Sequence, residues 1–411
     1  MGGIADYSGA RVLELPLACS TFALVQAQQT QRCDIATRRA ERWDLFSMDL
    51  PLAAPADLAT WFRERDRDRW ASYVVGVVQA LLSRRAATSG LRILIDSTVP
   101  EGKGVASSAA LEVAVGASVA ACCGIEISPA ELASTCQSVE NHVVGAPCGI
   151  MDQMTSACGK QDRLLQLRCQ PGTIEGYIAV PPGYRFYGID SGISHAVSGA
   201  DYGTVRTGAF MGQRILATET PWRDAYLANL SSAEFSQVAR LLPEEITGAD
   251  FLARYHGISD TATVVDPHRR YPVRRASEHP VGEQARVDRF ATLLPTVAQD
   301  SDAAIELGQL MYASHQSYSK CGLGSDGTDR LVALVRDAGD GHGHGLFGAK
   351  ITGGGSGGTV AVFGKTQAES VVRDIAARYA SETGRPARVF TESGPGAAET
   401  GVLRFQPLRP N

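Results

Sequence analysis

The sequence contains no apolar run of about 18 residues, the length a membrane-spanning helix requires. It does not open on a basic stretch followed by an apolar one, as a secretory leader would. A soluble, cytoplasmic protein without a membrane partner is expected. A basic surplus is also missing. The 39 Lys and Arg against 44 Asp and Glu leave a formal charge of -5, which argues against nucleic acid as a partner. The nine cysteines show no paired spacing, so reduced, mostly structural thiols are expected rather than a disulfide framework. No repeat of solenoid period occurs. The Gly-rich loop described next is not closed by Gly-Lys-Ser/Thr, which excludes a Walker loop.

What is present begins with length. A chain of 411 residues is comfortable for two packed lobes, and 44% hydrophobic with 20% charged residues is ordinary for a globular protein. The alternating run Leu91–Ser97 predicts a strand, and the Ala- and Val-rich run Leu111–Cys123 predicts a buried helix. Between them stands Pro100–Leu111, PEGKGVASSAAL. A strand, a Gly-containing loop and a Ser-opened helix make an anion-binding device, because glycines let the backbone approach a phosphate and free N–H groups at the helix start point at it. Gly102 and Gly104 supply the glycines. Ser107 and Ser108 stand where a cap is expected, to cap the helix or to reach a phosphate or its metal.

Other stretches carry chemistry. Met1–Ala10, MGGIADYSGA, reads as an active-site loop leading into a strand from Arg11 to Leu17. Trp70 and Tyr73 open an apolar helix and are core residues by default. Ser128 and Pro129 make a helix start, and that helix carries Glu140 near its end, with His142 read as structural. Gly145–Gln153, GAPCGIMDQ, follows. Arg269, Arg270, Arg274 and Arg275 read as a solvated basic face. Lys350–Gly358, KITGGGSGG, is bracketed by apolar strands, which flexible Gly/Ser linkers are not.

Taken in order, Asp6-Tyr7-x-Gly9, Gly104-x-x-Ser107-Ser108-Ala109, Cys148-Gly149-x-Met151-Asp152-Gln153 and Lys350–Gly358 resemble the signatures of the GHMP small-molecule kinases. The resemblance is to the galactokinase branch, and most to the kinase domain of the L-arabinokinases. It implies an α+β fold of two lobes, divided near 190/191, each with a mixed sheet and the site in the cleft between. It implies ATP and Mg2+, a sugar substrate, and a monomer or homodimer. By match to the motifs, Asp152 would take the proton from the sugar's anomeric hydroxyl. Ser108 and Glu140 would hold magnesium. Asp6, Gly149, Tyr202 and Ile4 would line the sugar site. Trp70, Tyr73, Gly102, Gly104, Ser107, Ser108, Gly354 and Gly355 would surround ATP.

The sequence departs from galactokinases at Gly3 and Ile4, where they carry Glu and His directed at the hexose hydroxymethyl group. An aliphatic residue there favours L-arabinose, which lacks that group. D-Galactose remains the alternative. Both families place a strand with a catalytic Arg just before this stretch, and the sequence given starts after it. A catalytically impaired sugar- and ATP-binding protein therefore also stays open.

Overall fold

In a computed structural model the described residues are 1–39, 42–85, 89–194, 200–224, 226–339 and 343–405. The first half begins with β1 (Arg11–Glu14), β2 (Thr21–Gln28), β3 (Arg32–Arg39) and β4 (Arg42–Asp49). Helices α1 (Pro55–Arg63) and α2 (Ala71–Leu82) lead to β5 (Gly90–Ser97). Then come α3 (Ser107–Cys123), α4 (Pro129–Val139) and α5 (Met151–Cys158), followed by β6 (Arg163–Arg168), β7 (Thr173–Ala179) and β8 (Tyr184–Asp190). The second half holds α6 (Ala200–Glu219), α7 (Ser232–Val238), the short β9 (Ile246–Thr247), α8 (Gly248–Tyr255) and β10 (Arg270–Tyr271). The long helices α9 (Val273–Leu293), α10 (Ser301–Lys320) and α11 (Asp326–Gly339) precede β11 (Leu346–Ile351) and β12 (Thr359–Lys365). Helix α12 (Glu369–Thr383), β13 (Val389–Phe390) and α13 (Ala397–Thr400) complete the described chain.

The sheet β2-β5-β3-β4 is mixed, since β3 and β5 run parallel while its other pairs are antiparallel. Period-2 alternation gives it an inner face of Ile35, Phe46, Ile93 and Ile95, which packs with Val74, Val78 and Val113 of α2 and α3. Ser128 accepts from the Glu131 amide and Pro129 opens α4, as the sequence predicts.

The sheet β11-β12-β8-β13 is antiparallel at every described pair, which corrects the expectation of a mixed sheet in both lobes. Among its described strands there is no parallel crossover, because each neighbour runs back along the last. The sheet packs on α11 and α12 through Val332, Val335, Val372 and Tyr379. Strand β8 precedes the expected 190/191 division yet pairs with β12 and β13. The opening loop also reaches across the sequence, since Ile4 and Tyr7 are buried with Tyr202, Val205 and Tyr318.

The hairpin of β3 and β4 escapes the sequence reading. Its charged residues, with Arg32, Arg38, Asp44 and Asp49 among them, hide the buried alternation of Cys33, Ile35 and Phe46. The charged run 57–69, helix-forming by composition, is helical only to Arg63, and a single 3-10 turn, Asp66–Asp68, follows.

Candidate active site

The loop before α3 has the left-handed turns that the expected phosphate cradle requires. Gly102, Gly104 and Ala106 all have positive φ, at 68°, 64° and 58°. Turning the chain this way presents the amides at the start of α3. Ala106, not a serine, is the residue before the helix, and no side chain caps it. Ser107 and Ser108 are its first two residues, which corrects the expectation that they cap. Both are thereby released for other work.

The glycine-rich loop after β11 closes over this cradle. A Cβ on Gly353 would lie 3.2 Å from the Gly104 carbonyl oxygen, and one on Gly358 would lie 3.0 Å from that of Lys103. The Thr359 hydroxyl donates to the Lys103 carbonyl at 2.8 Å, and Lys103 pairs with Asp190 at 3.3 Å. Gly354 sits in the same loop, and Gly355, with φ 82°, rests on Leu323.

Behind α3 lies an acidic cluster. The Ser108 hydroxyl bonds the Glu140 carboxylate, which burial pushes up to about 7. Glu140 opens a π-helical turn, Glu140–Val144, of the kind often found at functional sites. The Gln153 amide donates to Glu140 Oε2 at 2.6 Å and, more weakly, to Glu112 Oε2 at 3.4 Å. Glu112 is fully buried, and burial followed by the Glu140 charge drives its carboxyl well above the ordinary range. Glu112 Oε1 and Gln153 Oε1 have no partner among the described residues. Tyr73 borders this pair, its hydroxyl shifted upward by burial and by the Glu140 and Glu112 charges. Trp70 packs edge-on against Phe46 with centroids 6.4 Å apart, a core role.

The third part is a patch of buried polar residues around Asp6. A Cβ on Gly149 would fall 1.5 Å from Asp6 Oδ2, so only glycine lets the two loops meet. The Asp6 carboxylate accepts from the amides of Tyr7 and Met151, while burial raises its pKa and Arg206 opposes that rise. Tyr202 stands edge-on to Tyr7 at 5.9 Å. Ile4 is 1% exposed and holds a φ of 51°, unusual for a β-branched residue. Asp152, on the first turn of α5, makes no cap. Burial, then the charges of Glu14, Asp6 and Glu140, lifts its carboxyl well above the ordinary range.

Arg206 was not found from the sequence. It is 6% exposed, makes two 2.8 Å bonds to Asp260, and donates to the Cys148 carbonyl at 2.9 Å. It thereby fixes the residue before Gly149. Although burial opposes it, Arg206 holds Asp260 below the usual carboxylate range. Glu112 was missed too. Its only signal is a carboxylate in the apolar helix Ser107–Cys123. A second network anchors the opening loop. Glu283 accepts from the Gly2 amide at 2.9 Å and from Ser314 at 2.7 Å, and His279 Nε2 lies 3.2 Å from the Gly3 carbonyl. The arginine cluster is surface, with Arg270, Arg274 and Arg275 paired to Glu244 and Glu245.

A cavity of about 1240 Å³ reaches Gly104, Asp152, Lys350 and Gly353 and extends along β1 and β2. Asp6, Gly149, Tyr202 and Ile4 lie behind it as a packed patch, outside its lining. No helix among the described residues is long and apolar enough to cross a membrane.

Two glycine loops packed on each other beside a cavity that buried Asp152 also lines fit a small-molecule phosphotransferase. The chain belongs to the GHMP kinases, in the galactokinase branch. Residues 72–160 match the GHMP kinases N terminal domain and residues 301–381 the GHMP kinases C terminal domain. The chain is 38% identical to L-arabinokinase of Arabidopsis thaliana over 99% of its own length, and spans 46% of that protein. It is 30% identical to a galactokinase of Chloroflexus aggregans over 94% of its length and 86% of the relative's. Its fold follows that of Lactococcus lactis galactokinase complexed with galactose, with a TM-score of 0.78 at 20% identity, covering 96% and 91% of the two chains.

Proposed function

We propose that the protein transfers the γ-phosphoryl group of ATP to the anomeric hydroxyl of L-arabinose, giving L-arabinose 1-phosphate and ADP. The observation that carries this is that Asp152 lines one cavity with Gly104 and Gly353 of the two facing glycine loops, while Gly3 of the loop that bears Asp6 packs against Gly353. The amides of the 102–106 loop and the start of α3 hold the phosphates. Asp152 accepts the hydroxyl proton as the oxygen attacks, and its raised basicity suits that task. Asp6 and Tyr202 bind ring hydroxyls.

The family implies Mg2+, and the residues fit it. Ser108, Glu140 and the unpartnered oxygens of Glu112 and Gln153 are hard oxygen donors in one cluster. Ser108 and Glu140 would hold the ion, which when bound neutralises phosphate charge. Nine free cysteines support a reducing cytoplasm as the setting.

Arabinose over galactose follows from Gly3 and Ile4. A Cβ on Gly3 would lie 2.0 Å from the Tyr318 hydroxyl, so no polar side chain can reach a hydroxymethyl group from there. Ile4 offers no donor either. A lost hydrogen bond is worth about 1–3 kcal/mol, or roughly 5- to 150-fold. Measured kcat/KM should favour arabinose by that order, and equal use of both sugars would sink the preference. ATP turnover independent of any added sugar would sink the kinase reading itself. The variant Asp152→Asn should lose about 10²–10⁴-fold in kcat while still binding ATP.

A further inference from the structure

The outer face of the sheet β2-β5-β3-β4 is unusually apolar. The registered partners Leu24↔Leu94, Leu94↔Ala36 and Ala36↔Leu45 make one row across all four strands. In it Leu24 is 54%, Leu94 40% and Leu45 74% exposed. A groove of about 540 Å³ runs over the middle of this face. One flanking row is polar, made of Gln26, Arg92, Asp34 and Ser47 in register. On the other side Phe22 pairs with Asp96 and Arg38 with Trp43, with Phe22 62% and Trp43 55% exposed.

We infer that this face binds a second copy of the same chain, sheet on sheet. Soluble proteins rarely leave a contiguous apolar patch of this kind uncovered, and the order of residues within the rows says what covers it. A two-fold axis lying between the sheets and parallel to the strands sets β2 over the partner's β4 and β5 over its β3. Each row then meets itself reversed. Leu24 faces Leu45, Leu94 faces Ala36, and Phe22 faces Trp43. The charges agree as well, because Arg92 faces Asp34 and Asp96 faces Arg38. Every row is self-complementary under the one operation, as an isologous interface demands. Aligned packing of two such sheets is the common sandwich geometry. Four strands about 4.8 Å apart give a patch at the small end of specific interfaces, so the dimer forms in the micromolar range.

Sedimentation velocity of the whole protein from about 1 to 200 μM should show the shift from monomer to dimer. Arg92→Asp and Asp34→Arg should each weaken dimerisation by tenfold or more, since like charges then face each other. Both residues lie outside the catalytic patch, so sugar-dependent ATP turnover at dilute protein should be unchanged and certifies the fold. Mixing the two variants is the sharper arm. In the mixed pair the introduced aspartate of one chain faces the introduced arginine of the other. The remaining native Asp34 and native Arg92 face each other as before, so a heterodimer should return at wild-type concentrations. A wild-type protein that stays monomeric throughout, a dimer indifferent to both variants, or a mixture that fails to restore it would each overturn the inference. Leu45→Glu gives an independent apolar arm and should also abolish the dimer.

Discussion

The two ends of the proposed site, one for phosphate and one for sugar, are made of different material. At the phosphate end the working groups are backbone amides, shaped by Gly102, Gly104 and a left-handed Ala106. At the sugar end they are packed side chains: Asp6 against the backbone of Gly149, and Arg206, which binds the Cys148 carbonyl and is itself held by Asp260. Backbone recognition depends on where the chain turns, so it tolerates side-chain change. A packed side-chain network does not, since removing one member leaves its partners buried and unpaired.

The contrast can be broken at Gly149. Gly149→Ala must displace the Asp6 carboxylate, and a misplacement of about 1 Å costs on the order of 10²-fold in kcat/KM. The loss should appear in sugar KM, with ATP binding kept. A variant with unchanged sugar KM would show that the contact is not functional. Next is Arg206→Met, which leaves Asp260 and the Asp6 patch without their cation. Breaking a buried pair costs about 3–5 kcal/mol, measurable by urea unfolding, and a stability like wild type would refute the account.

A subtler probe is pH. Burial raises Glu140 from 4.5 to about 7, so the folded, ligand-free protein keeps a proton that the unfolded chain releases. Its contribution is full below about 4.5 and is lost as pH rises through 7. Stability should therefore fall between those values, and Glu140→Gln should flatten that stretch. The smallest effect is at Ser107. Because it does not cap α3, Ser107→Ala should stay within about 0.5 kcal/mol of wild type, whereas Ser108→Ala should weaken magnesium-dependent ATP binding.

This difference in material also explains what could be read from the sequence. Backbone devices use contiguous residues, so both glycine loops, the strand Leu91–Ser97 and the start of α4 were visible as strings. Asp6, Gly149 and Asp152 were visible because they sit inside such strings. Arg206 and Asp260 are 54 positions apart, and nothing local marks either of them. Glu112 looks like one polar position on an apolar helix. The antiparallel second sheet was likewise hidden, since strand direction depends on connections and not on composition.

The seam between the glycine loops has a consequence for traffic through the cleft. Lys103 is bound by Thr359 and Asp190, Ser191 donates to the Gly358 carbonyl, and Gly358 donates to that of Ile193. The two Lys103 contacts stitch the loop before α3 to the other sheet, and the Gly358 bonds tie the second glycine loop to the end of β8 beside them. The cleft cannot gape there without undoing the stitching, so any opening must swing about it as a pivot. Movement is then greatest at the far rim and least beside Lys103.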